Sequence, residues 1–292
     1  MPPHIKAHIY LSIVALIYGA NYTIAKIILD GNHVGPYGLT LMRVITGVVL
    51  FSLFHAVFIK EKIDKKDFPR LVLCALTGVA INQMLFIGGL KLTTHINAAL
   101  LATTIPVATI VAGYFILKEK ITRNQLIGIG LGIIGVTILT LYGKKFAYDK
   151  GGLLGDVMIF VNACSFGTFF VLVKSLMHKY HPITVTKWIF TIGFFFVLPF
   201  GFHELKNTPM NDFTLHIWMA IGYVLICTTF LTYLLNTTAL QLVDASTVSI
   251  YVYLQPVIAT AIALMAGKDE LTIVKVTAGL MIFSGVFLVS RK

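Results

Sequence analysis

The feature that most constrains this chain is a succession of apolar stretches, each about 20 residues long, that runs from one end of the sequence to the other. A helix needs about 20 mainly apolar residues to cross the hydrocarbon core of a bilayer. Cutting the chain at its charged and Gly/Pro-rich clusters predicts ten transmembrane helices: 6–29, 36–59, 70–90, 96–117, 123–143, 153–177, 183–202, 214–238, 245–266 and 272–290. The predicted fold is therefore an all-α integral membrane protein.

The composition excludes a water-soluble enzyme. Hydrophobic residues make up 57% of the chain and charged residues only 12%, whereas a soluble domain carries about 25% charged residues. The formal net charge of +11 does not indicate a nucleic-acid partner, because the basic residues lie in short runs between apolar stretches. The expected surroundings are a lipid bilayer.

No metal site, cofactor site or catalytic residue is predicted. The three cysteines, Cys74, Cys164 and Cys227, each lie inside an apolar stretch, and their spacing suits neither a zinc site nor a redox pair. The sequence contains no H-E-x-x-H, G-x-S-x-G or Walker motif. The protein is therefore not expected to be an enzyme.

The basic residues predict the topology. With the N-terminus in the cytoplasm, the cytoplasmic segments, including Lys174 and the loop that follows it, carry about twice as many lysines and arginines as the opposite segments. This bias comes mainly from the first half of the chain. It predicts that both termini are cytoplasmic.

The two halves of the chain, 1–150 and 151–292, resemble each other. A shift of 148 pairs Gly19 with Gly167 and Lys26 with Lys174. A shift of 150 aligns Leu90, Leu92, Pro106, Val107, Lys118, Thr122, Gly135 and Val136 with Leu240, Leu242, Pro256, Val257, Lys268, Thr272, Gly285 and Val286. Each half has five predicted spans, an odd number, so the second copy is expected to lie inverted in the membrane. Inverted repeats with a site between them are a transporter architecture.

Several segments carry a resemblance to a known family. They are IYGANYTIAK (17–26), PYGLTLMR (36–43), INAALLATTIPVATIVAGYFILKEKIT (96–122) and, in the second half, ASTVSIYVYLQPVIATAIAL (245–264) followed by KDELT. In this order they resemble the EamA-type permeases of the drug/metabolite transporter superfamily, over essentially the whole chain. Asp269 stands where that family usually has Glu, and Ala278 where it often has Gly.

The resemblance implies a carrier with ten helices, built as two inverted five-helix repeats, 1–150 and 151–292, around a central cavity. Such carriers move small metabolites, amino acids or drugs, most often outward in bacteria. The expected location is the cell inner membrane, and a small-molecule metabolite is the expected partner.

Two basic residues, Lys26 and Arg43, lie inside predicted spans, where a charge is costly and indicates a function by default. Arg43 lies about two turns into the second span. Its guanidinium either binds a substrate carboxylate or phosphate, or serves a structural role by pairing with backbone carbonyls or extending to the outer interface. Lys26 lies one turn from the end of the first span, and its long side chain is expected to extend to the interface.

Polar residues form stripes on the third, fourth, eighth and ninth spans, which predicts a polar cavity between them. The alternative is hydrogen bonding between helices, worth about 0.6 kcal/mol per contact. Pro106 and Pro256 interrupt two of these spans as hinges or as kinks. The candidate substrate-binding residues are Asn21, Arg43, Asn82, Gln83, Asn97, Tyr233, Asn236, Ser249, Tyr253 and Gln255.

The distribution of charge also bears on coupling and substrate. All carboxylates fall in predicted loops or at helix ends, which favours a facilitator or an exchanger over an antiporter driven by a carboxylate inside the membrane. Two embedded cations and several aromatic residues (Tyr18, Tyr22, Phe166 and Tyr253) are compatible with a carboxylate-bearing, partly apolar solute such as an amino acid. Glycines on the fifth and tenth spans predict close helix packing, and a homodimer contact is one use of such a surface.

Together these observations predict an inner-membrane transporter, expected to be an exporter, that moves small metabolites by alternating access. Two alternatives remain open at this stage, a lipid scramblase and an intramembrane lipid-modifying enzyme. The sequence leaves the substrate, the direction of transport, the coupling ion and the oligomeric state undetermined.

Overall fold

The computed structural model describes residues 2–93, 95–141, 150–265 and 272–290, and every regular element in these ranges is helical. We number the long helices in chain order. They are α1 (Pro3–Asp30), α2 (Pro36–Phe58), α3 (Lys65–Leu92), α4 (Asn97–Leu117), α5 (Arg123–Leu141), α6 (Lys150–Met177), α7 (Pro182–Lys206), α8 (Leu215–Leu242), α9 (Ala245–Ile262) and α10 (Ile273–Ser290).

Nine of these helices are long and apolar enough to cross a membrane, within the part of the chain that the structure describes. The protein is therefore an all-helical, multi-pass membrane protein. The predicted span 123–143 falls on α5. The apolar part of this helix, Arg123–Ile138, is shorter than the 18 residues that the other nine helices reach. The count of ten spans stays a prediction at this helix.

The boundaries of several helices follow from local residue chemistry. Proline stands at the first turn of α2 and α7, where its fixed φ suits a helix and its missing N–H is not needed. The turn after α1 contains Asn32 at φ 49°, a left-handed conformation that asparagine tolerates better than most residues. Lys118 takes the same conformation at φ 56° and ends α4.

The helices find their main partners in the opposite half of the chain. α2 packs along α7, and α5 packs along α10. α1 packs against α8 and α9, whereas α6 packs against α3 and α4. The two halves are therefore interleaved in one bundle.

The crossing of α5 and α10 depends on glycine. A Cβ atom added to Gly285 would lie 2.5 Å from the carbonyl oxygen of Gly128. This distance is too short for any side chain, so the two backbones meet directly, as small residues allow in membranes.

Four helices are irregular near the middle of the bundle. α3 contains a π-helical turn at Leu76–Ala80, and α8 contains a longer one at Tyr223–Leu231. α4 is interrupted at Thr103, three residues before Pro106, and α9 contains a 3₁₀ turn at Tyr251–Tyr253, just before Pro256. Such irregularities often mark functional sites.

Hydrogen bonds join loops at the face of the bundle where α1 begins, which we call the N-terminal face. The Asp67 carboxylate, in the first turn of α3, accepts from Lys179 and, at 2.6 Å, from the Tyr180 hydroxyl. The Glu61 carboxylate accepts from the backbone N–H of His181 at 3.0 Å. These contacts tie the α2–α3 connection and the first turn of α3 to the α6–α7 connection.

A different link operates at the opposite face. One Glu204 oxygen accepts from the backbone N–H groups of Tyr37 and Gly38, both at 2.8 Å. A carboxylate at this position stabilises the N-terminus of α2, where the helix dipole is positive. The end of α7 is thereby fixed to the start of α2.

Candidate functional site

A cavity of about 70 Å³ lies in the middle of the bundle. Side chains from both halves of the chain line it, and they come from α1, α2, α3, α4, α6, α8 and α9. The sequence predicted a cavity lined by α3, α4, α8 and α9. The structure adds α1, α2 and α6 to these four.

The predicted site residues fall into three groups. Those that line the cavity are Asn21, Arg43, Asn82, Asn236 and Gln255. Gln83 and Tyr233 are buried and joined to each other by a hydrogen bond beside it. Asn97, Ser249 and Tyr253 are not among the lining residues: Asn97 bonds Asp156 at the face opposite the N-terminal one, Ser249 bonds the Ser246 carbonyl, and Tyr253 bonds the Thr103 carbonyl.

Arg43 is a buried cation on the cavity wall, with 4% of its surface exposed. Its Nε donates to the Thr229 hydroxyl at 2.9 Å, and one terminal nitrogen contacts the Thr228 carbonyl at 3.5 Å. No carboxylate pairs with it among the described residues. A guanidinium has five N–H donors, so Arg43 keeps both its charge and spare donors for another group.

Unpaired carboxamides line the same cavity as this cation. The Asn21 side-chain oxygen is buried and has no hydrogen-bond partner. The Asn236 and Gln255 side chains, also buried, form no hydrogen bond within the described part of the chain. Leaving buried amides unpaired costs free energy, so these groups are positioned to bind water or a polar solute.

Two tyrosines beside the cavity hold helices together. The Tyr233 hydroxyl donates to the Gly78 carbonyl on α3 and accepts from the Gln83 amide at 3.3 Å. The Tyr253 hydroxyl donates to the Thr103 carbonyl on α4 at 3.1 Å. The contacts of both tyrosines match the alternative of hydrogen bonding between helices.

Aromatic rings form part of the apolar wall of the cavity. Phe166 and Phe170 on α6 contact each other with ring centroids 4.5 Å apart. Tyr22 and Phe86, which also line the cavity, meet edge to face with ring centroids 5.9 Å apart. The cavity therefore combines a cation and several amides with aromatic surface.

The sequence did not identify four of the polar or aromatic residues that line the cavity: Phe86, Asn162, Phe170 and Tyr251. Asn162 is a polar residue deep in an apolar span, and its amide donates to the Asn82 carbonyl at 2.7 Å. Phe170 follows Tyr22 by 148 residues, the shift that pairs Gly19 with Gly167. Shifting each predicted cavity residue by 148 positions would have identified Phe170 as the repeat counterpart of Tyr22.

The two embedded lysines bind helix ends. The Lys26 amine donates to the carbonyls of Leu90 and Thr93 at 3.2 and 3.3 Å, at the end of α3, and pairs with the exposed Asp30 carboxylate at 3.2 Å. Lys174, counted above with the cytoplasmic residues, is buried, and its amine binds the Val243 carbonyl at 3.1 Å and the Asp244 carboxylate at 2.6 Å. Each lysine therefore neutralises the negative end of a helix.

Replacing Lys174 with Met should lower the thermal stability of the detergent-solubilised protein. The loss leaves a carboxylate and a carbonyl without their charged donor, which costs about 1.5–3 kcal/mol. The matched change Lys26→Met should cost less, because 20% of that side chain is exposed. The exposed Lys62→Met is the control, and an equal melting temperature for all three variants would contradict the role given to Lys174.

The fold and the cavity define the class of this protein: a multi-pass membrane protein whose helices enclose a polar internal space. The model of the EamA-like transporter family matches the chain twice, at residues 5–141 and at residues 153–291. The chain belongs to this family, as the sequence resemblance indicated.

Curated relatives extend over nearly the whole chain. An uncharacterized transporter of Archaeoglobus fulgidus is 26% identical over 290 residues, which cover 98% of each chain. The uncharacterized transporter YyaM of Bacillus subtilis is 23% identical and covers 98% of this chain and 94% of its own. A crystal structure of a protein with 16% identity superimposes with a TM-score of 0.73, covering 95% of this chain and 94% of the other, which shows the shared fold.

Proposed function

We propose that this protein is an inner-membrane transporter that moves a small anionic or zwitterionic metabolite by alternating access. The observation that carries the proposal is Arg43, a buried cation on the cavity wall without a carboxylate partner in the described residues. An embedded charge is retained where it serves a transported group. A solute carboxylate or phosphate would supply the missing anion.

The other lining groups narrow the class of solute. The unpaired Asn21 oxygen accepts a hydrogen bond, so it suits an amine or a hydroxyl on the solute. The rings of Phe166 and Phe170 suit an apolar portion. An amino acid presents all three features, and amino acids are the substrate class we favour.

Two inverted five-helix repeats would account for the way the helices pair. The contacts α1–α8 and α1–α9 have counterparts in α6–α3 and α6–α4. Two hydrogen bonds, Gln83–Tyr233 and Thr103–Tyr253, join residues 150 positions apart, as expected for equivalent residues that meet at a two-fold axis. These contacts support the proposed architecture.

Close helix contacts repeat in the same way. A Cβ atom on Gly19 of α1 would lie 3.0 Å from the carbonyl oxygen of Gln255 on α9. A Cβ atom on Gly167 of α6 would lie 2.7 Å from the carbonyl oxygen of Ile105 on α4. Each glycine thus packs one residue before a proline, Pro256 or Pro106, on the equivalent helix.

In the proposed cycle the helix pairs rock around the cavity, and α4 and α9 flex at their interruptions before Pro106 and Pro256. The bias of basic residues supports cytoplasmic N- and C-termini, which makes the N-terminal face the cytoplasmic one. Solute would then enter from that face and leave at the other, in the direction of export.

The charged residues of the cavity bear on whether transport is coupled to a proton or a sodium ion. None of the residues that line it, within the described ranges, is Asp or Glu. Proton- and sodium-coupled carriers commonly use such a carboxylate inside the membrane. We therefore propose a facilitator or an exchanger.

Counterflow in proteoliposomes tests the proposal. Vesicles loaded with pooled amino acids and organic acids should exchange one class of solute saturably, read by mass spectrometry, whereas protein-free vesicles should not. Absence of exchange by monodisperse protein, together with flip-flop of a labelled lipid, would overturn the proposal in favour of a scramblase.

A further inference from the structure

A second cavity, of about 400 Å³, opens between the start of α1, the end of α6, the α8–α9 junction and the end of α10. The groups that can carry a charge on its lining are His4 and His8 from α1, Lys174 and His178 from the α6 side, and Asp244 from the α8–α9 junction. We call this space the histidine vestibule. It lies at the N-terminal face.

The histidine vestibule and the central cavity share a wall. His8 lines the vestibule, Tyr251 lines the central cavity, and the His8 Nδ1 lies 2.6 Å from the Tyr251 hydroxyl oxygen. The neighbouring residues repeat this arrangement, since Thr247 lines the vestibule and Val248 lines the central cavity. One hydrogen-bonded pair of side chains therefore stands between the two spaces.

The charges in the histidine vestibule favour anions. Asp244 is held by the Lys174 amine at 2.6 Å, so its negative charge is balanced within the lining. The three imidazoles are the remaining ionisable groups there. A protonated imidazole is a cation with two N–H donors, so proton uptake by these side chains gives the vestibule positive charge.

We propose that the histidine vestibule is a binding site for small anions, carboxylates or phosphates, and that the His8–Tyr251 pair is the gate between this site and the central cavity. The position of the vestibule on a transport path rests on the proposed function, whereas its affinity for anions does not. An anion held there would lie one side-chain pair away from the space that Arg43 lines.

The electrostatic part is tested by thiol chemistry on the full chain. In a background with Cys74, Cys164 and Cys227 changed to Ala, Thr247→Cys places a thiol in the vestibule. Its reaction rate with an anionic methanethiosulfonate, divided by the rate with a cationic one, should rise about fivefold between pH 8 and pH 5.5. Adding His4→Gln and His178→Gln should remove most of this rise.

A flat ratio between the two pH values would overturn the anion site. So would a rise that both histidine substitutions leave unchanged. All variants are compared only where size-exclusion profiles show monodisperse protein. Inorganic phosphate at millimolar concentration should compete for the site and slow the reaction of the anionic reagent with the Thr247→Cys thiol.

The gate is tested with a thiol on the other side of the wall. Val248→Cys should react slowly with the anionic reagent, because the residue is buried beside the closed pair. Adding Tyr251→Phe removes the hydroxyl but keeps the ring, and the rate should rise several-fold. An unchanged rate, with the Thr247→Cys rate also unchanged, would overturn the gate.

These readouts separate the inference from the proposed function. An anion preference at Thr247→Cys without counterflow of any solute would keep the anion site and overturn its place on a transport path. Saturable counterflow without that preference would overturn the anion site and leave the transporter intact.

Discussion

Arg43→Gln should lower the counterflow of an anionic solute by about 10- to 100-fold while leaving the protein folded. Hydrogen bonds to a charged group contribute about 1.5–3 kcal/mol, and each 1.4 kcal/mol changes an equilibrium tenfold. The variant keeps a polar side chain beside Thr229 but loses the charge. Arg43→Lys should retain part of the activity, since it keeps the charge without the planar fork of donors.

Thermal stability provides the control for this prediction. A buried cation without a carboxylate partner destabilises the protein, so Arg43→Gln should melt at the same temperature as the parent or higher. Loss of activity with unchanged or raised stability distinguishes a substrate group from a structural one. Full counterflow in Arg43→Gln, or loss of activity only together with unfolding, would contradict the proposed binding role.

Gly285→Ala should destabilise the protein by about 2–3 kcal/mol, near the upper end of the cost of overpacking. The added methyl would lie 2.5 Å from the Gly128 carbonyl oxygen and 3.1 Å from the Gly132 nitrogen. Both atoms belong to the backbone of α5, so no side-chain rotation relieves the clash and the two helices must separate. The melting temperature in detergent measures the effect.

The same helix offers a matched control. Gly279, also on α10, has no atom within 4 Å of the position its Cβ would occupy. Gly279→Ala should leave the melting temperature unchanged or raise it, because alanine favours helix over glycine. Equal melting temperatures for the two variants would show that the α5–α10 contact does not depend on glycine.

Much of the fold was predictable from the sequence because the membrane imposes its own length and polarity on each helix. α1, α2 and α7 begin and end within a few residues of their predicted spans, apart from a longer C-terminus of α7. α3 begins at Lys65, five residues before the predicted start at 70, since a charged turn extends the helix beyond the apolar stretch. A hydropathy profile does not detect a helix that continues into charged residues.

The site was predictable in part. Arg43, Asn21 and Asn236 are polar residues within apolar stretches, and this position identifies them in the sequence. Whether a polar side chain faces solute or another helix depends on packing, and for this reason Tyr233 and Tyr253 could not be assigned from spacing. The ends of α3 and α8 lie far along the chain from Lys26 and Lys174, so the contacts of these lysines were not readable either.

The pairing of helices across the halves has a consequence for biosynthesis. α10 begins 150 residues after α5 begins, and a ribosome that adds about 5–20 residues per second needs roughly 8–30 s to produce that length. α5 therefore enters the bilayer before its main partner, α10, has been synthesised. In the same way, α2 is synthesised before its partner α7. Until then, lipid or an assisting membrane protein must cover the glycine-rich surface of α5, and the native bundle assembles only when its last helix arrives.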